Sequence, residues 1–394
     1  MLSIVLFGKR SSLRLLVKNT AIITASVFAF FLSIQLIGAG IGAIGQTFVE
    51  SILVVTSNPF IGLFIGLLIT AILQSSSTTT TMAVALVATS SISLQQAIPI
   101  IIGANIGTTI TSTLVSLSYI TKTAEFRKAI SAGTSHDVYN ILLTLIILPL
   151  ELNYQFLSTL SREISHAMPI LYSRHNMFAG ISRMFEPIND FFLFAVGPII
   201  TTIFAFFLLF FTVKSISNNL YKRWVGNIKS QADHVIFHSK YKSFGFGLVL
   251  TGVIQSSSLT TSLMVPLAAT GKIRTDRAFD FILGANLGTT ITAILAALFK
   301  SEAAMSLAIA HFLFNFIGTI LFLNIPYLSK ITTLISDKLG WLTLRNRVTG
   351  FIYILFTFFI LPFALIYFSV ESEDRAVDNS IPQETEKVEK VLQE

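Results

Sequence analysis

Two stretches of uncharged polar residues recur in this chain with the same internal spacing. Gln74, Ser75, Ser76 and Ser77 precede Gly103, Ala104, Asn105, Ile106, Gly107, Thr108 and Thr109; Gln255, Ser256, Ser257 and Ser258 precede Gly284, Ala285, Asn286, Leu287, Gly288, Thr289 and Thr290. The interval from Gln to the first Gly is 29 residues in both copies, 74 to 103 and 255 to 284. Amide carbonyls, hydroxyls and backbone carbonyls freed at helix breaks are oxygen ligands suited to a hard cation such as sodium. An anion instead needs donors: hydroxyls, amides and the exposed N–H groups of a helix N-terminus. Each Ser triplet stands where a half-helix would begin, so two N-termini would aim partial positive charge at one anion. No Arg or Lys adjoins either cluster. The anion's charge would then be offset mainly by bound cations, and each ion would lower the desolvation cost of the other. Ser, Thr and Gly in membrane helices commonly serve close packing, but a matched pair at equal spacing favours a binding site.

A third element is matched more loosely. His136 and Asn140 correspond to His311 and Asn315, a His-x-x-x-Asn spacing that puts both polar groups on one helix face. Support of the first two motifs, or hydrogen bonding between helices, is expected of these residues rather than direct ligation. Asp137 has no acidic counterpart in the second copy. A carboxylate inside a span is a functional candidate; the alternative is an ion pair with a basic residue near the inner surface.

The elements that position these residues must lie in a membrane. The chain has 394 residues, 53% hydrophobic and 12% charged, with a mean hydropathy of +0.75. Soluble domains carry roughly 25% charged residues, so this is read as an all-α polytopic membrane protein. With no Cys, disulfides and Cys-based metal sites are excluded. The basic residues fall between apolar segments, which fits a topology signal and not a nucleic-acid footprint. Lys9, Arg10, Arg14 and Lys18 precede an apolar run without a small-residue cleavage site, a retained first helix and not a signal peptide.

Residues 51–121 contain no Asp, Glu, Lys, Arg or His. At about 1.5 Å per residue one helix of that length would far exceed a ~30 Å hydrocarbon core, so the segment must fold back. Residues 60–73 are too short to span, which predicts a re-entrant helical hairpin over 60–90 with its tip at Gln74-Ser75. Spans follow at 95–118, expected to break at Gly103 and Gly107, and at 127–150, ending at Pro149. The second half repeats the plan: a span at 188–213, a hairpin at 243–270, a glycine-broken span at 278–299 and a span at 303–324. Irregular backbone at depth is tolerated only in protein or beside a polar cavity. The resulting domains are a first repeat (1–150), an external linker (151–187), a second repeat (188–324), an interfacial helix and last span (325–370) and an acidic tail (371–394). Three crossings plus a hairpin per half make the repeats inverted in topology. With the N-terminus inside, inner segments hold 20 of the 27 Lys and Arg residues, the sense the positive-inside rule requires. The tail is then outside.

These features resemble the type II sodium-dependent phosphate cotransporter family with its bacterial relatives. The resemblance covers roughly residues 20–150 and 185–368 and rests on Gln74–Thr81, Ala97 to Thr109, Phe126 through His136-Asp137 to Asn140, Gln255–Ser258, Gly284–Leu298 and Ala310–Asn315. It implies sodium-driven uptake of inorganic phosphate, with no cofactor beyond sodium as coupling ion. Carried over by position, it implies phosphate at Ser75, Ser76, Ser77, Ser256, Ser257, Ser258, Thr109 and Thr290. Sodium would fall to Gln74, Thr78, Asn105, Thr108, Gln255, Asn286 and Thr289, with His136, Asp137, Asn140, His311 and Asn315 in support. The short, Cys-free 151–187 loop, and the lack of a second span after the repeats or a soluble regulator-like domain, imply a minimal bacterial-type member in the cytoplasmic membrane.

Three other readings compete. A sodium-coupled carrier of another oxyanion, such as sulfate, shares the same chemistry. An intramembrane serine hydrolase would need one activated Ser with a base in reach, whereas these serines come in duplicated triplets without a local His. A passive channel would dissipate a gradient where a carrier accumulates solute.

Overall fold

The computed structural model describes residues 13–45, 53, 56–168, 175–228, 237–298 and 300–368. Lys9, Arg10 and the acidic tail lie outside them. The described residues form helices and no strands, and seven helices are long and apolar enough to cross a membrane. The chain is a multi-pass membrane protein.

Helix α1 (Leu13–Ile44) is followed by a matched pair of short arms, α2 (Pro59–Leu73) and α3 (Ser76–Ala88). Pro59 opens α2, where its missing N–H costs nothing, and the Asn58 side chain accepts from the N–H groups of Phe60 and Ile61. Next come α4 (Leu94–Thr108), entered through a Ser93/Gln96 capping box, and α5 (Ile110–Leu117). The long α6 (Thr123–Tyr154) turns at Gln155 into α7 (Phe156–His166). Helix α8 (His175–Ile228) bends at Gly197 (φ 78°, ψ 167°), a conformation L side chains rarely adopt, just before Pro198.

The second half runs α9 (Lys240–Ile254), α10 (Ser257–Ser262), α11 (Met264–Ala269), α12 (Thr275–Ala297) and α13 (Glu302–Asn324). Helix α14 (Pro326–Arg345) lies on α6, and α15 (Val348–Leu355) continues through a π turn at Phe356–Ile360. The 325–347 segment buries Thr332, Ser336, Gly340 and Thr343 and leaves Leu334, Ile335 and Trp341 outward. Its small residues meet α6, with Ser131 donating to the Asp337 carboxylate.

Two expectations are overturned. The glycines do not break their helices: α12 runs unbroken through Gly284 and Gly288, and the first copy is interrupted only at Thr109, whose backbone stays helical. The glycines instead bring two backbones into contact. A Cβ on Gly66, Gly103 or Gly107 would overlap the carbonyl oxygens of Ile100, Leu63 and Leu67, fusing α2 to α4; Gly247, Gly284 and Gly288 do the same between α9 and α12. Nor does Pro149 end α6, which continues to Tyr154. The helix stops one turn later because Gln155 turns left-handed (φ 49°) and the Glu151 carboxylate accepts from the N–H groups of Leu157 (2.7 Å) and Ser158 (3.1 Å), capping α7. The 151–187 segment therefore carries a helix, α7, packed on α13 and joined to it by His166 and Glu302 at 3.1 Å.

Candidate functional site

Both Gln-Ser-Ser-Ser turns have the same backbone. Gln74 (φ 54°, ψ 33°) and Gln255 (φ 56°, ψ 32°) occupy the left-handed region, closing α2 and α9 through N–H bonds to the carbonyls of Thr70 (2.7 Å) and Thr251 (2.6 Å). A non-glycine residue there costs on the order of 1–3 kcal/mol and persists only where its surroundings over-determine it. The next residue in each turn, Ser75 or Ser256, is extended and caps the following helix, accepting from Thr78 N (3.3 Å) or Leu259 N (3.4 Å). The arms are tied behind the turn by Thr70 to Thr79 (2.8 Å) and Thr251 to Thr260 (2.7 Å). These threonines keep the 181-residue offset of the motif. Sequence reasoning passed over them, although that offset would have found them.

The two turns meet. Ser77 Oγ donates to the Gln255 carbonyl at 3.0 Å, and Thr292 Oγ1 donates to Ser77 Oγ at 3.4 Å. Ser112 and Thr261 hydroxyls lie 3.1 Å apart, and Ser217 Oγ reaches the Gln255 carbonyl at 3.5 Å. Thr292, Ser112, Thr261 and Ser217 were not among the sequence candidates. Ser76, Ser77, Ser257 and Ser258 are buried, and no ion pair among the described residues involves either turn. A cavity of about 170 Å³ among α1, α8 and α12 reaches Gln255, its one polar lining residue among those described; Phe30, Phe31 and Ile216 line it too.

Four threonine candidates donate their hydroxyl protons locally. Thr108 and Thr289 donate to the carbonyls of Ala104 and Ala285, and Thr109 and Thr290 to those of Ile106 and Leu287, each within its own helix. Thr78 lies 2.8 Å from Ser75 Oγ.

The looser motif forms a network across the halves. His136 Nε2 bonds Asn286 Oδ1 at 2.7 Å, and Asn286 Nδ2 donates to Asn140 Oδ1 at 2.9 Å. Asn140 Nδ2 donates to the Asn105 carbonyl (2.9 Å), and Asn315 Nδ2 to Asn105 Oδ1 (3.3 Å). Neither His136 nor His311 hydrogen-bonds a Ser, so the bonded nucleophile and base of a serine hydrolase are not formed here. Asp137 is fully buried. Its Oδ2 accepts from Thr113 (2.7 Å) and Tyr353 (3.1 Å), its Oδ1 has no partner, and it makes no ion pair among the described residues. Among the described residues no three His, Asp or Glu side chains converge as for a transition metal.

The model of the Na+/Pi-cotransporter family matches residues 29–184 and 208–365. Similar proteins include sodium-dependent phosphate transport protein 2A of Ovis aries, 30% identical over 78% of this chain and 60% of that one. The 2A protein of Rattus norvegicus is 29% identical over 78% and 60%, and the 2B protein of Homo sapiens 28% identical over 85% and 62%. The chain thus spans about three-fifths of the length of these relatives. No solved structure matches it.

Proposed function

Since the chain belongs to the Na+/Pi-cotransporter family, we propose that it carries inorganic phosphate into the cell together with sodium, by alternating access across the cytoplasmic membrane. It acts as a carrier and not as an enzyme, and needs no cofactor besides sodium, which travels with the substrate. The observation that carries this reading is the meeting of the two matched turns at Ser77 and Gln255.

Each turn presents the start of a helix, α3 or α10, beside buried serines. Ser75, Ser76, Ser77 and Ser256, Ser257, Ser258 supply hydroxyl donors, and the freed N–H groups add partial positive charge for phosphate. Gln74 and Gln255, with Asn105, Asn286 and nearby threonine hydroxyls, supply neutral oxygens for sodium. Among the described residues no cationic side chain pairs with either turn, so sodium provides the countercharge that lets phosphate leave water. Asp137 adds a buried carboxylate with one unengaged oxygen, a further attraction for a cation.

Each half, 1–150 and 188–324, comprises three crossings and a re-entrant hairpin, in inverted orientation. Support comes from the constant 181-residue offset of the turns, the arm threonines and the packing glycines. The N-terminus lies inside, on the strength of the Lys and Arg distribution. The segment 151–187 and the tail 371–394 lie outside, and 325–347 follows the inner surface before the last span.

Uptake of labelled phosphate into proteoliposomes tests the proposal. An inward sodium gradient is expected to drive accumulation that a potassium gradient does not, and excess unlabelled sulfate to leave it unchanged. Equal uptake in potassium would overturn the coupling; competition by sulfate equal to that by phosphate would make the substrate a broader oxyanion class.

A further inference from the structure

The two His-x-x-x-Asn pairs are matched in sequence but not in bonding. Asn286, from the second half, is gripped twice by the first: His136 Nε2 holds its oxygen and Asn140 Oδ1 accepts from its nitrogen. The side chain of its counterpart Asn105 is gripped once, by Asn315 Nδ2 at 3.3 Å, while its own nitrogen donates to Ile101 within its helix. His311, the counterpart of His136, is 1% exposed, and neither ring nitrogen has a partner. Asn315 Oδ1 is also buried and unpartnered. Exchanging the amide atoms of Asn315 does not cure this, since its nitrogen faces two oxygens, Asn105 Oδ1 and the His311 carbonyl. Orphaned buried polar atoms are uncommon and costly.

One rearrangement gives a partner to His311 and to Asn315 Oδ1, leaving a single ring nitrogen bare as Nδ1 of His136 is now. If Asn105 leaves Ile101 and takes the pose Asn286 has now, His311 donates to its oxygen and its nitrogen donates to Asn315 Oδ1. We infer that His136/Asn140 on Asn286 and His311/Asn315 on Asn105 are two matched pincers of a toggle, one closed at a time, which exchange when the access side changes. This rests on the alternating-access reading above. The pincers use the same chemistry, so closing one while opening the other leaves the two conformations close in free energy, as a carrier that visits both requires.

The chain has no cysteine, so a single introduced one reports on conformation. Ile216 lines the cavity at Gln255 and lies outside the network. Maleimide labelling of Ile216→Cys is measured in ion-free proteoliposomes, alone and with His136→Phe or His311→Phe, which keep ring volume and remove the donors. The two variants are expected to change the labelling rate in opposite directions by about fivefold, the shift that one buried hydrogen bond produces. His311→Gln, which keeps an N–H donor, is expected to return the rate to within twofold of the parent. Shifts in the same direction, or a shift with only one variant, would overturn the toggle. If a histidine variant does not fold, Asn286→Leu and Asn105→Leu pose the same question from the facing side. Sodium-driven phosphate uptake is read on the same vesicles. Opposite shifts without uptake would support the toggle and reject the cargo, whereas uptake with parallel shifts would reject the toggle alone.

Discussion

Ser77 and Gln255 stand 178 positions apart in sequence, yet the hydroxyl of one donates to the main-chain carbonyl of the other at 3.0 Å. The bond joins the fourth residue of the first turn to the first residue of the second. It makes one polar centre from two segments that each lie in apolar surroundings.

The buried serines beside that contact are the first target. Ser76→Ala and Ser257→Ala each remove one hydroxyl from the start of α3 or α10 without touching the Ser75 and Ser256 caps. Phosphate uptake is expected to fall roughly tenfold or more, which corresponds to about 1.4 kcal/mol, with monodisperse protein recovered from the membrane. Uptake at the parental rate in either variant would remove these residues from the site.

Sodium removal should weaken phosphate binding itself, since among the described residues no ion pair involves either turn. Binding of labelled phosphate to purified protein is expected to drop at least tenfold when choline replaces sodium. Equal affinity in both buffers would mean that fixed protein groups neutralise the anion.

The packing glycines predict a stability contrast. Gly103→Ala and Gly284→Ala push a methyl group into the backbone of α2 or α9, an overpacking cost of about 1–3 kcal/mol. Gly42→Ala in α1 meets nothing within 4 Å and should leave thermal stability unchanged. Melting curves in detergent check both, and equal behaviour of the three variants would contradict the close approach of the helices.

Lys300, between α12 and α13, donates to Gln35 Oε1 at 3.1 Å, and desolvation by burial lowers its pKa to about 8. The ammonium is the form that burial penalises, so between about pH 8 and the usual lysine value near 10.5 the unfolded chain binds this proton more readily than the fold does. Stability should therefore rise with pH across that window. Melting temperatures of the parent and Lys300→Met, compared at pH 7.5 and 10, should differ less at the higher pH. A constant difference would place the ammonium in solvent.

The turns and the helix starts at Ser76 and Ser257 were legible because Gln-Ser-Ser-Ser occurs twice and 14 apolar residues cannot span a bilayer. The role of Gly103 and Gly284 was not: a glycine reads alike whether it breaks a helix or admits a neighbour. Only the facing carbonyls of Leu63 and Phe244 decide between the two. Pro149 misled for a related reason, because a membrane helix tolerates proline in its interior, and α6 runs on through it to Tyr154. The partners of Asp137, Thr113 and Tyr353, come from helices 24 and 216 positions away, beyond any local pattern.

The glycine contacts also bear on how such a molecule can move. With main chains touching at three successive levels, α2 cannot creep along α4, nor α9 along α12, without carbonyls colliding. Each couple behaves as a single stiff plank, so slippage during turnover falls to seams lacking that lock.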